Sequence, residues 1–408
     1  MSTTPRLSNE AIALTVPRSV STGQYQMNFP FHFNASQTAQ QSNKSVHLIT
    51  SDLWEAITGE RHTPSELCKI MDASIPLNEA PNKKLMQSME YVILTRDRQG
   101  SRYVQKRLAE GTASERTVIF NSLYPQLNEL VYDASGNFVI QKMCEYLTPD
   151  QQKLFLNFFL KQKQEVIDHP NGCRVLQKFI EFTSQENVDK LFIEYKPNLI
   201  KLCFSQNGNH IVQRFISVLP NRLDEIISSI ENDLLDLVVD NCGCRVVQKL
   251  FEQYPIEKLE KLVKKVMEHP IELATNQYGN YVVQNILEAG KKEHVSALIN
   301  AFSGHFYEFS IHKFASNVIE KCIRGASDTE RYKIFAEIIG DENNYETDRI
   351  LGMISDQFGN YVIQRIIEYG SEDQQNAIYE VVYDNYDSLN GNFAKHVITK
   401  LGKIGFEF

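Results

Sequence analysis

The sequence of 408 residues lacks the features that mark several large classes of protein. It has no run of about 18 consecutive apolar residues, so we expect no membrane-spanning helix. The first 22 residues lack the charged-then-apolar pattern of a secretory signal. These absences exclude neither an enzyme nor a binding protein, but they lead us to expect a chain that is neither exported nor membrane-bound, and so a cytoplasmic location.

Cysteine frameworks and catalytic motifs are also missing. Seven cysteines form an odd number without a regular spacing, which predicts free thiols in a reducing compartment. Cys242 and Cys244 are too close together for a zinc half-site, and no His/Cys pair follows at a finger spacing, so we expect no metal and no other cofactor. The chain has no P-loop, no G-x-S-x-G elbow and no H-E-x-x-H pair, so we do not predict an enzyme.

Positive charge is in deficit, since 42 Lys and Arg residues stand against 51 Asp and Glu residues, a net charge of -9. Taken over the whole chain, this balance argues against a nucleic-acid-binding protein, which usually carries a basic surface. Residues 1–50 carry only four charges among Ser, Thr, Gln and Asn, which predicts a disordered leader. Helical patterning begins near residue 52, and an apolar content of 42% predicts a substantial core.

What the sequence does contain is an internal repeat. A six-residue motif, beginning with Gly in seven copies and Ala in one, occurs eight times, and successive copies are separated by 36, 36, 36, 35, 36, 36 and 44 residues. The segments between motifs are amphipathic and long enough for one further helix or two short ones. A unit this small cannot bury its own apolar face, so the copies are predicted to stack into an all-α solenoid.

Each motif is predicted to form an early turn of a helix. In six copies, Asp, Asn or Ser stands three residues before the Gly or Ala that opens the motif, and so four residues before the next one. At this position it would cap the helix N-terminus. The third and fourth residues after the Gly or Ala are large and apolar, so we expect them to face the interior. The first, second and fifth residues are expected on the outward side, and we call these three the triplet.

The triplets share a chemical pattern at each of their three positions. The first residues are Ser101, Asn137, Cys173, Asn209, Cys244, Asn280, Ser316 and Asn360. The second residues, most of them planar, are Arg102, Phe138, Arg174, His210, Arg245, Tyr281, Asn317 and Tyr361. The fifth residues are Gln105, Gln141, Gln177, Gln213, Gln248, Gln284, Glu320 and Gln364.

This pattern predicts a repetitive ligand with planar groups. Planar side chains can stack on bases, while amides and a carboxylate can bind base edges. Glu320 only accepts hydrogen bonds, so it needs two adjacent donors, which guanine offers at N1 and N2. Asn with Gln matches uracil, and Ser or Cys with Gln leaves room for adenine. One such triplet alone would be ordinary solvated surface, but eight in register favour a shared role.

From about residue 90 to the end, the chain resembles the PUF family, of the Pumilio and FBF type, including a seventh repeat of the form Ser-Asn-x-x-Glu at 316–320. The resemblance implies a right-handed, crescent-shaped α-solenoid of eight repeats, a domain spanning residues 51–408. It would have a degenerate N-terminal cap over about 52–90, repeats over about 91–385 and a C-terminal cap over about 386–408. Departures from the family pattern are Phe138 in place of Tyr, and His396 where a ninth Gln would stand.

The resemblance also implies a function. PUF proteins bind one RNA base per repeat with the RNA antiparallel to the protein, so the triplets predict the element 5′-UGUAUAUA-3′, with the base identities at repeats 3 to 5 the least strictly specified. The expected role is binding of single-stranded mRNA 3′ untranslated regions and repression of translation or mRNA stability. The expected form is a monomer that recruits protein co-regulators and deadenylation machinery.

Two further features have alternative interpretations. A cation follows seven triplets, and these cations could line the RNA phosphates or form a solvated edge: Lys106, Lys142, Lys178, Arg214, Lys249, Lys321 and Arg365. The long interval before repeat 8 contains an acidic segment around 340–347 with Tyr345, which resembles the partner-docking loop of PUF proteins or could be a disordered connector.

Two other functions remain open. A helical-repeat scaffold that binds peptides would also form a solenoid, but it predicts no ordered register of Asn, Gln and Glu. A PUF-like ribosome-biogenesis factor would bind structured RNA, but such relatives tend to have degenerate triplets, and all eight are intact here. The segments of nine residues that begin at each triplet contain twelve Lys and Arg against six Asp and Glu, so the acidic excess lies outside them.

Overall fold

The computed structural model describes residues 90–408, together with Thr63 and Glu66. The predicted leader over residues 1–50 and nearly all of the predicted cap over 52–90 lie outside the described residues. Over residues 90–408 the chain is helical apart from connecting turns and one short β-hairpin. In that part of the chain no helix is both long and apolar enough to cross a membrane.

Each of the eight repeats contains three helices, which we call lead, motif and trailing in chain order. The lead helices are a segment over residues 90–96, then Leu127–Leu130, Lys163–Asp168, Leu199–Phe204, Leu234–Val239, Pro270–Thr275, Phe306–Ser310 and Thr347–Ser355. The motif helices are Arg98–Glu110, Gly136–Cys144, Pro170–Phe182, Gly208–Val218, Gly243–Gln253, Gly279–Ala289, Ala315–Gly325 and Gly359–Tyr369. The trailing helices are Ala113–Leu123, Pro149–Lys161, Gln185–Tyr195, Leu223–Ile230, Glu260–Val266, Lys292–Ala301, Asp328–Ile339 and Glu372–Asp384.

Short elements connect these helices and close the last repeat. The 3-10 turns are Tyr124–Gln126, Lys196–Asn198, Pro220–Arg222, Glu231–Asp233, Ile256–Lys258 and Tyr386–Ser388. The C-terminal helix Asn392–Lys403 packs against the motif helix of repeat 8. It therefore covers the motif helix of the last repeat.

The motif helices form the continuous spine of the molecule. Every motif helix contacts the motif helix of the next repeat, from Arg98–Glu110 through to Gly359–Tyr369. The third and fourth residues after the Gly or Ala are fully buried in repeats 2 to 8, whereas in repeat 1 Val104 is buried and Tyr103 is half-buried. The predicted all-α solenoid of eight repeats is thus confirmed, with two short or medium helices between successive motif helices.

Aromatic packing joins neighbouring repeats. The ring of Phe155, in the trailing helix of repeat 2, lies 6.1 Å from Phe120 of repeat 1 and 6.0 Å from Phe179 of repeat 3. Phe155 and Phe179 are fully buried. Burial of one such side chain contributes about 2–3 kcal/mol, and here the covering surface belongs to the adjacent repeats. No single repeat could bury these rings by itself.

The long interval between the motifs of repeats 7 and 8 contains an ordered hairpin. Strand Gly340–Asp341 pairs antiparallel with strand Asn344–Tyr345, with Gly340 opposite Tyr345 and Asp341 opposite Asn344. Gly340 has φ +86, and a Cβ there would lie 2.3 Å from the carbonyl oxygen of Asn344, so the turn requires glycine. The alternative of a disordered connector is wrong.

The cysteines behave as expected in the described part of the chain. Six free thiols are present there: Cys144, Cys173, Cys203, Cys242, Cys244 and Cys322. The seventh, Cys68, lies outside the described residues. Among the described residues no group of three or more His, Cys, Asp or Glu side chains could hold a metal ion.

Candidate nucleic-acid interface

The N-terminus of each motif helix is fixed by a side chain four residues before the first triplet residue, a place we call the cap position. In repeat 2, Asp133 Oδ1 accepts hydrogen bonds from the backbone N–H groups of Ser135 at 2.9 Å and Gly136 at 2.6 Å. Asp97, Asp240, Asn276 and Asp356 accept from the same two backbone N–H groups in their repeats, and Ser205 accepts from the N–H of Gly208 alone. In repeat 1 the predicted residue, Asp97, is the N-cap itself. In the other five repeats the predicted residue binds the backbone just ahead of a helix that begins at the Gly three places later, so it secures the turn that leads into the helix.

The two repeats without a predicted cap use histidine. His169 Nδ1 accepts from Asn171 N at 3.1 Å and lies 3.5 Å from Gly172 N. His312 Nδ1 accepts from Phe314 N and Ala315 N, both at 3.2 Å. Sequence reasoning missed these caps because His is not a usual capping residue, although both stand at the cap position in the printed sequence.

The first triplet residue is buried in all eight repeats, with at most 4% of its surface exposed. Our expectation that it lies on the outward side is wrong, because it sits in the first turn of the motif helix against the preceding loop. The fifth residue is half-buried in seven repeats and 8% exposed in repeat 5, where it is Gln248. The accessible surface is thus formed by the second and fifth residues, with the first residue beneath them.

In repeats 2, 4, 6 and 8 the buried Asn holds the Gln in place. The Gln Nε2 groups donate to the Asn Oδ1 atoms at 2.8, 2.8, 2.9 and 3.1 Å. Each Asn Nδ2 in turn donates to the backbone carbonyl of its cap position, at 2.7–2.8 Å. In repeats 2, 4 and 6 this leaves the second amide N–H and the Oε1 of the Gln, a donor and acceptor pair that a uracil edge can bind. In repeat 8 the Gln364 Nε2 also donates to the Asn360 carbonyl, at 3.2 Å.

Repeats 1, 3 and 5 have a small first residue and a different arrangement. Gln105 Nε2 donates to the Ser101 carbonyl at 3.2 Å, and Gln177 Nε2 donates to Cys173 Sγ at 3.2 Å. Burial raises the pKa of both Cys173 and Cys244 to about 11, so both thiols are neutral at physiological pH. Gln248 Nε2 is buried and has no hydrogen-bond partner among the described residues.

Repeat 7 has the only carboxylate among the fifth residues. The Glu320 side chain is 12% exposed, and its Oε2 lies 3.8 Å from Arg365 Nε in repeat 8. Ser316, in the first position, is 4% exposed. The carboxylate beside this small buried residue can accept hydrogen bonds but cannot donate them.

The second triplet residues are the most exposed of the three. Phe138 and Tyr281 are each 47% exposed although they are aromatic, and Arg102, Arg174 and His210 are also exposed. Partial burial of the imidazole and the positive charge of Arg174 in the preceding repeat lower the pKa of His210, which favours a neutral ring. Arg245, Asn317 and Tyr361 are half-buried.

The cations that follow the triplets are paired with carboxylates. The distances from the cationic nitrogen to the carboxylate oxygen are 3.9 Å for Lys106 and Glu110, 2.7 Å for Lys142 and Glu145, 3.6 Å for Lys178 and Glu145, 3.7 Å for Arg214 and Glu181, and 3.7 Å for Lys249 and Glu252. Lys321 pairs with Glu288, and Arg365 pairs with Glu368. We call these cations, with the Glu residues that stand eight places after the start of a triplet (nine places in repeat 1), the charge ladder. Their role at RNA phosphates stays a prediction.

Tyr345 lies in the second strand of the hairpin and is half-buried. Its hydroxyl is buried without a hydrogen-bond partner among the described residues. Burial, together with the nearby negative charges of Asp373 and Glu342, raises the pKa of the Tyr345 hydroxyl. The ring is therefore not presented as a free aromatic group, and the exposed part of the hairpin is its acidic turn, with Asp341 and Glu342.

A family model described as the Pumilio-family RNA binding repeat matches eight segments of the chain. They are residues 91–123, 126–157, 169–194, 198–228, 233–267, 271–301, 305–339 and 349–382. Each segment contains one motif helix. No match to a curated protein sequence was found.

Solved structures of RNA-bound proteins resemble the chain over most of its length. The Puf3 RNA binding domain bound to the Cox17 RNA 3′ UTR recognition sequence site A is 31% identical, with a TM-score of 0.71, and the match covers 82% of this chain and 99% of that one. PUF-8 in complex with PBE-RNA is 28% identical, with a TM-score of 0.66 and coverage of 78% and 94%. The RNA-binding domain of yeast Puf5p bound to SMX2 RNA is 25% identical, with a TM-score of 0.55 and coverage of 77% and 96%.

Proposed function

The chain belongs to the Pumilio, or PUF, family of RNA-binding repeat proteins, and from this premise we propose that it binds single-stranded RNA in a sequence-specific manner, one base per repeat. The observation that carries the proposal is that the eight motif helices place their triplet residues at equivalent positions. Each presents one exposed or half-buried stacking residue beside one amide or carboxylate, which is half-buried in seven repeats and buried in repeat 5, and neighbouring motif helices are in contact. Adjacent bases of a single strand could therefore occupy adjacent repeats.

We propose 5′-UGUAUAUA-3′ as the preferred element. Repeats 8, 6, 4 and 2 would bind uracil through the side-chain amides of Gln364, Gln284, Gln213 and Gln141. Repeat 7 would bind guanine at the second base through Glu320. Repeats 5, 3 and 1 would bind adenine above Cys244, Cys173 and Ser101.

The similarity to 3′ UTR-binding domains supports a role in post-transcriptional control. The Puf3 domain is bound to a 3′ UTR recognition sequence, and we propose that this chain represses the translation or stability of mRNAs in the cytoplasm through such elements. It would do so as a monomer with no catalysis of its own, by recruiting co-regulators such as deadenylation machinery.

We place the contact for these co-regulators at the hairpin of residues 340–345. Its turn exposes Asp341 and Glu342, whereas Tyr345 would anchor the strand. A variant in which Asp341 and Glu342 are replaced by Asn and Gln should bind RNA as the wild type does but repress a reporter mRNA less. Unchanged repression of the reporter would contradict this assignment.

A binding titration tests the RNA code directly. The protein should bind 5′-UGUAUAUA-3′ more tightly than 5′-UAUAUAUA-3′ by about 1–3 kcal/mol, because adenine lacks the two donors that Glu320 requires. Fluorescence anisotropy at fixed ionic strength measures both affinities. Equal affinity for the two RNAs would overturn the proposal.

A double substitution provides the matched variant. Ser316→Asn with Glu320→Gln recreates in repeat 7 the Asn and Gln pair of repeats 2, 4, 6 and 8, whose geometry supports uracil binding. The preference at the second base should move from guanine to uracil, with the other bases unaffected. A variant that still prefers guanine would show that Glu320 does not set the specificity.

A further inference from the structure

The charge ladder changes at the junction of repeats 7 and 8. At three junctions a cation pairs with the Glu of the preceding repeat: Lys178 with Glu145, Arg214 with Glu181 and Lys321 with Glu288. Repeats 1 and 4 have Ala109 and Ser217 at the position of that Glu, and the cations that follow them, Lys142 and Lys249, pair with a Glu of their own repeat. In repeat 7 the corresponding position is occupied by Arg324. The cation of repeat 8, Arg365, therefore has no ladder carboxylate in the preceding repeat.

Arg365 is directed instead towards the fifth triplet residue of repeat 7. Its Nη1 donates to Glu368 in its own repeat, and its Nε lies 3.8 Å from Glu320 Oε2. The two side chains are only 17% and 12% exposed. The Arg365 Nε–H is buried and has no hydrogen-bond acceptor among the residues that the structure describes.

We infer that Arg365 is a positioning residue for guanine selection, which holds the Glu320 carboxylate in place and balances its charge when a base covers it. This inference rests on the proposed function. A base stacked over Glu320 excludes water from a carboxylate that is already largely buried, and removing a charge from water is costly unless an opposite charge stands beside it. Closing the 3.8 Å gap would also satisfy the buried Nε–H.

The geometry is compatible with simultaneous binding of guanine. An ionised carboxylate has about four lone-pair sites on its two oxygens. The guanine N1–H and N2–H groups can use the two oxygens on one side while Arg365 occupies Oε2 from the other. Arg365 would thus act on the base through Glu320 and not by touching it.

A competing role for Arg365 is a plain phosphate contact, and Arg214 is the matched control. Arg214 occupies the same position in repeat 4 but pairs with Glu181, which belongs to no triplet. A phosphate contact contributes to the affinity for every RNA alike, whereas a positioning residue changes the preference at one base. Arg365→Gln and Arg214→Gln remove the same charge from equivalent places.

The experiment compares the wild type with Arg365→Gln, Arg365→Lys and Arg214→Gln on 5′-UGUAUAUA-3′ and 5′-UAUAUAUA-3′. In Arg365→Gln the preference for guanine should fall about tenfold, which is within the effect of one base contact. Arg365→Lys should retain most of the preference, and Arg214→Gln should leave it unchanged even where both affinities fall. Thermal unfolding followed by circular dichroism verifies that each variant is folded.

The outcomes separate this inference from the proposed function. If the wild type shows no preference for guanine, the proposed function fails before any variant is considered. If the wild type prefers guanine and Arg365→Gln keeps the full preference, or loses affinity equally for both RNAs, the positioning role is overturned. Should Arg365→Gln prove unfolded, Arg365→Met, which keeps the apolar stem, replaces it under the same criterion.

Discussion

The Gln side chains in the fifth triplet position differ mainly in which group accepts a hydrogen bond from their Nε2. In repeats 2, 4, 6 and 8 a buried Asn fixes the Gln, whereas in repeat 5 the Nε2 of Gln248 is buried with no partner among the described residues. A buried donor without an acceptor costs about 1–3 kcal/mol. A base that accepts a hydrogen bond from Gln248 Nε2 would remove that cost. RNA binding should therefore stabilise repeat 5 more than the repeats whose amides are already paired.

Histidine at the cap position makes the stability of repeat 3 depend on pH. Nδ1 of His169 must be unprotonated to accept the backbone N–H, and partial burial lowers the pKa of His169 below its ordinary value of 6.5. The unfolded chain therefore binds more protons at mildly acidic pH. The stabilisation is fully present above the ordinary pKa and declines as the pH falls through the window below it.

We expect His169→Asn to weaken this pH dependence, because Asn caps without titrating, as Asn276 does in repeat 6. Urea unfolding at pH 7.5 and pH 5.5 should show a smaller loss of stability in the variant than in the wild type. His210, whose pKa is also lowered, contributes to both proteins and cancels in the comparison. Parallel losses in the two proteins would contradict the capping role.

The chemistry of the triplet could be predicted from the sequence, but its burial could not. The spacing of Asn137 and Gln141 predicts neighbours on one helix face, and their side chains are 2.8 Å apart. The burial of Asn137 depends on the helix beginning only at Gly136, so that the preceding loop lies over the first turn. The pairing of Arg365 with Glu320 also depends on contacts between repeats, which a pattern within one repeat does not contain.

At the scale of elements, the Gly that opens most motif helices allows close contact with the lead helix. A Cβ on Gly243 would lie 2.7 Å from the carbonyl oxygen of Leu237 and 2.8 Å from its Cα. The same approach, to the residue six places earlier, recurs at Gly100, Gly208 and Gly359. We therefore expect Gly243→Ala to destabilise the protein by about 1–3 kcal/mol through overpacking.

Gly352 provides the control for this prediction. It lies in the lead helix of repeat 8, Thr347–Ser355, and an added Cβ would meet no atom within 4 Å. Gly352→Ala should raise stability by about 0.5–1 kcal/mol, since alanine favours the helix. Thermal and urea unfolding midpoints should thus shift in opposite directions in the two variants, and a shift in the same direction would refute the steric explanation.

Sequence periodicity predicts the helices well and the hairpin poorly. A repeat of about 36 residues leaves room for helices around each motif, and apolar spacing identifies the buried faces. The hairpin at 340–345 has only two residues in each strand, too short for an alternating pattern. Its one local signal is Gly340, whose positive φ permits the turn.

At the scale of the whole molecule, the net charge of -9 does not describe the candidate interface. The segments that begin at each triplet contain more basic than acidic residues, but the ladder places carboxylates within 4 Å of their cations. An overall count of charges treats these neighbours as independent. The structure instead favours binding through stacking and base edges, with a limited contribution from free positive charge.

This arrangement predicts a shallow dependence of RNA affinity on salt. If all seven cations that follow the triplets neutralised phosphates of a single strand, the logarithm of the affinity would fall with a slope of about -5 against the logarithm of the salt concentration. Because these cations are already paired with carboxylates, we expect a slope between about -1 and -3, measured by anisotropy over a series of KCl concentrations.

Glu181→Gln removes the carboxylate that Lys178 and Arg214 share, so it should raise the affinity at low salt and steepen the slope by about 1. A wild-type slope of -5, unchanged in Glu181→Gln, would mean that the cations leave the ladder for the phosphates when RNA binds.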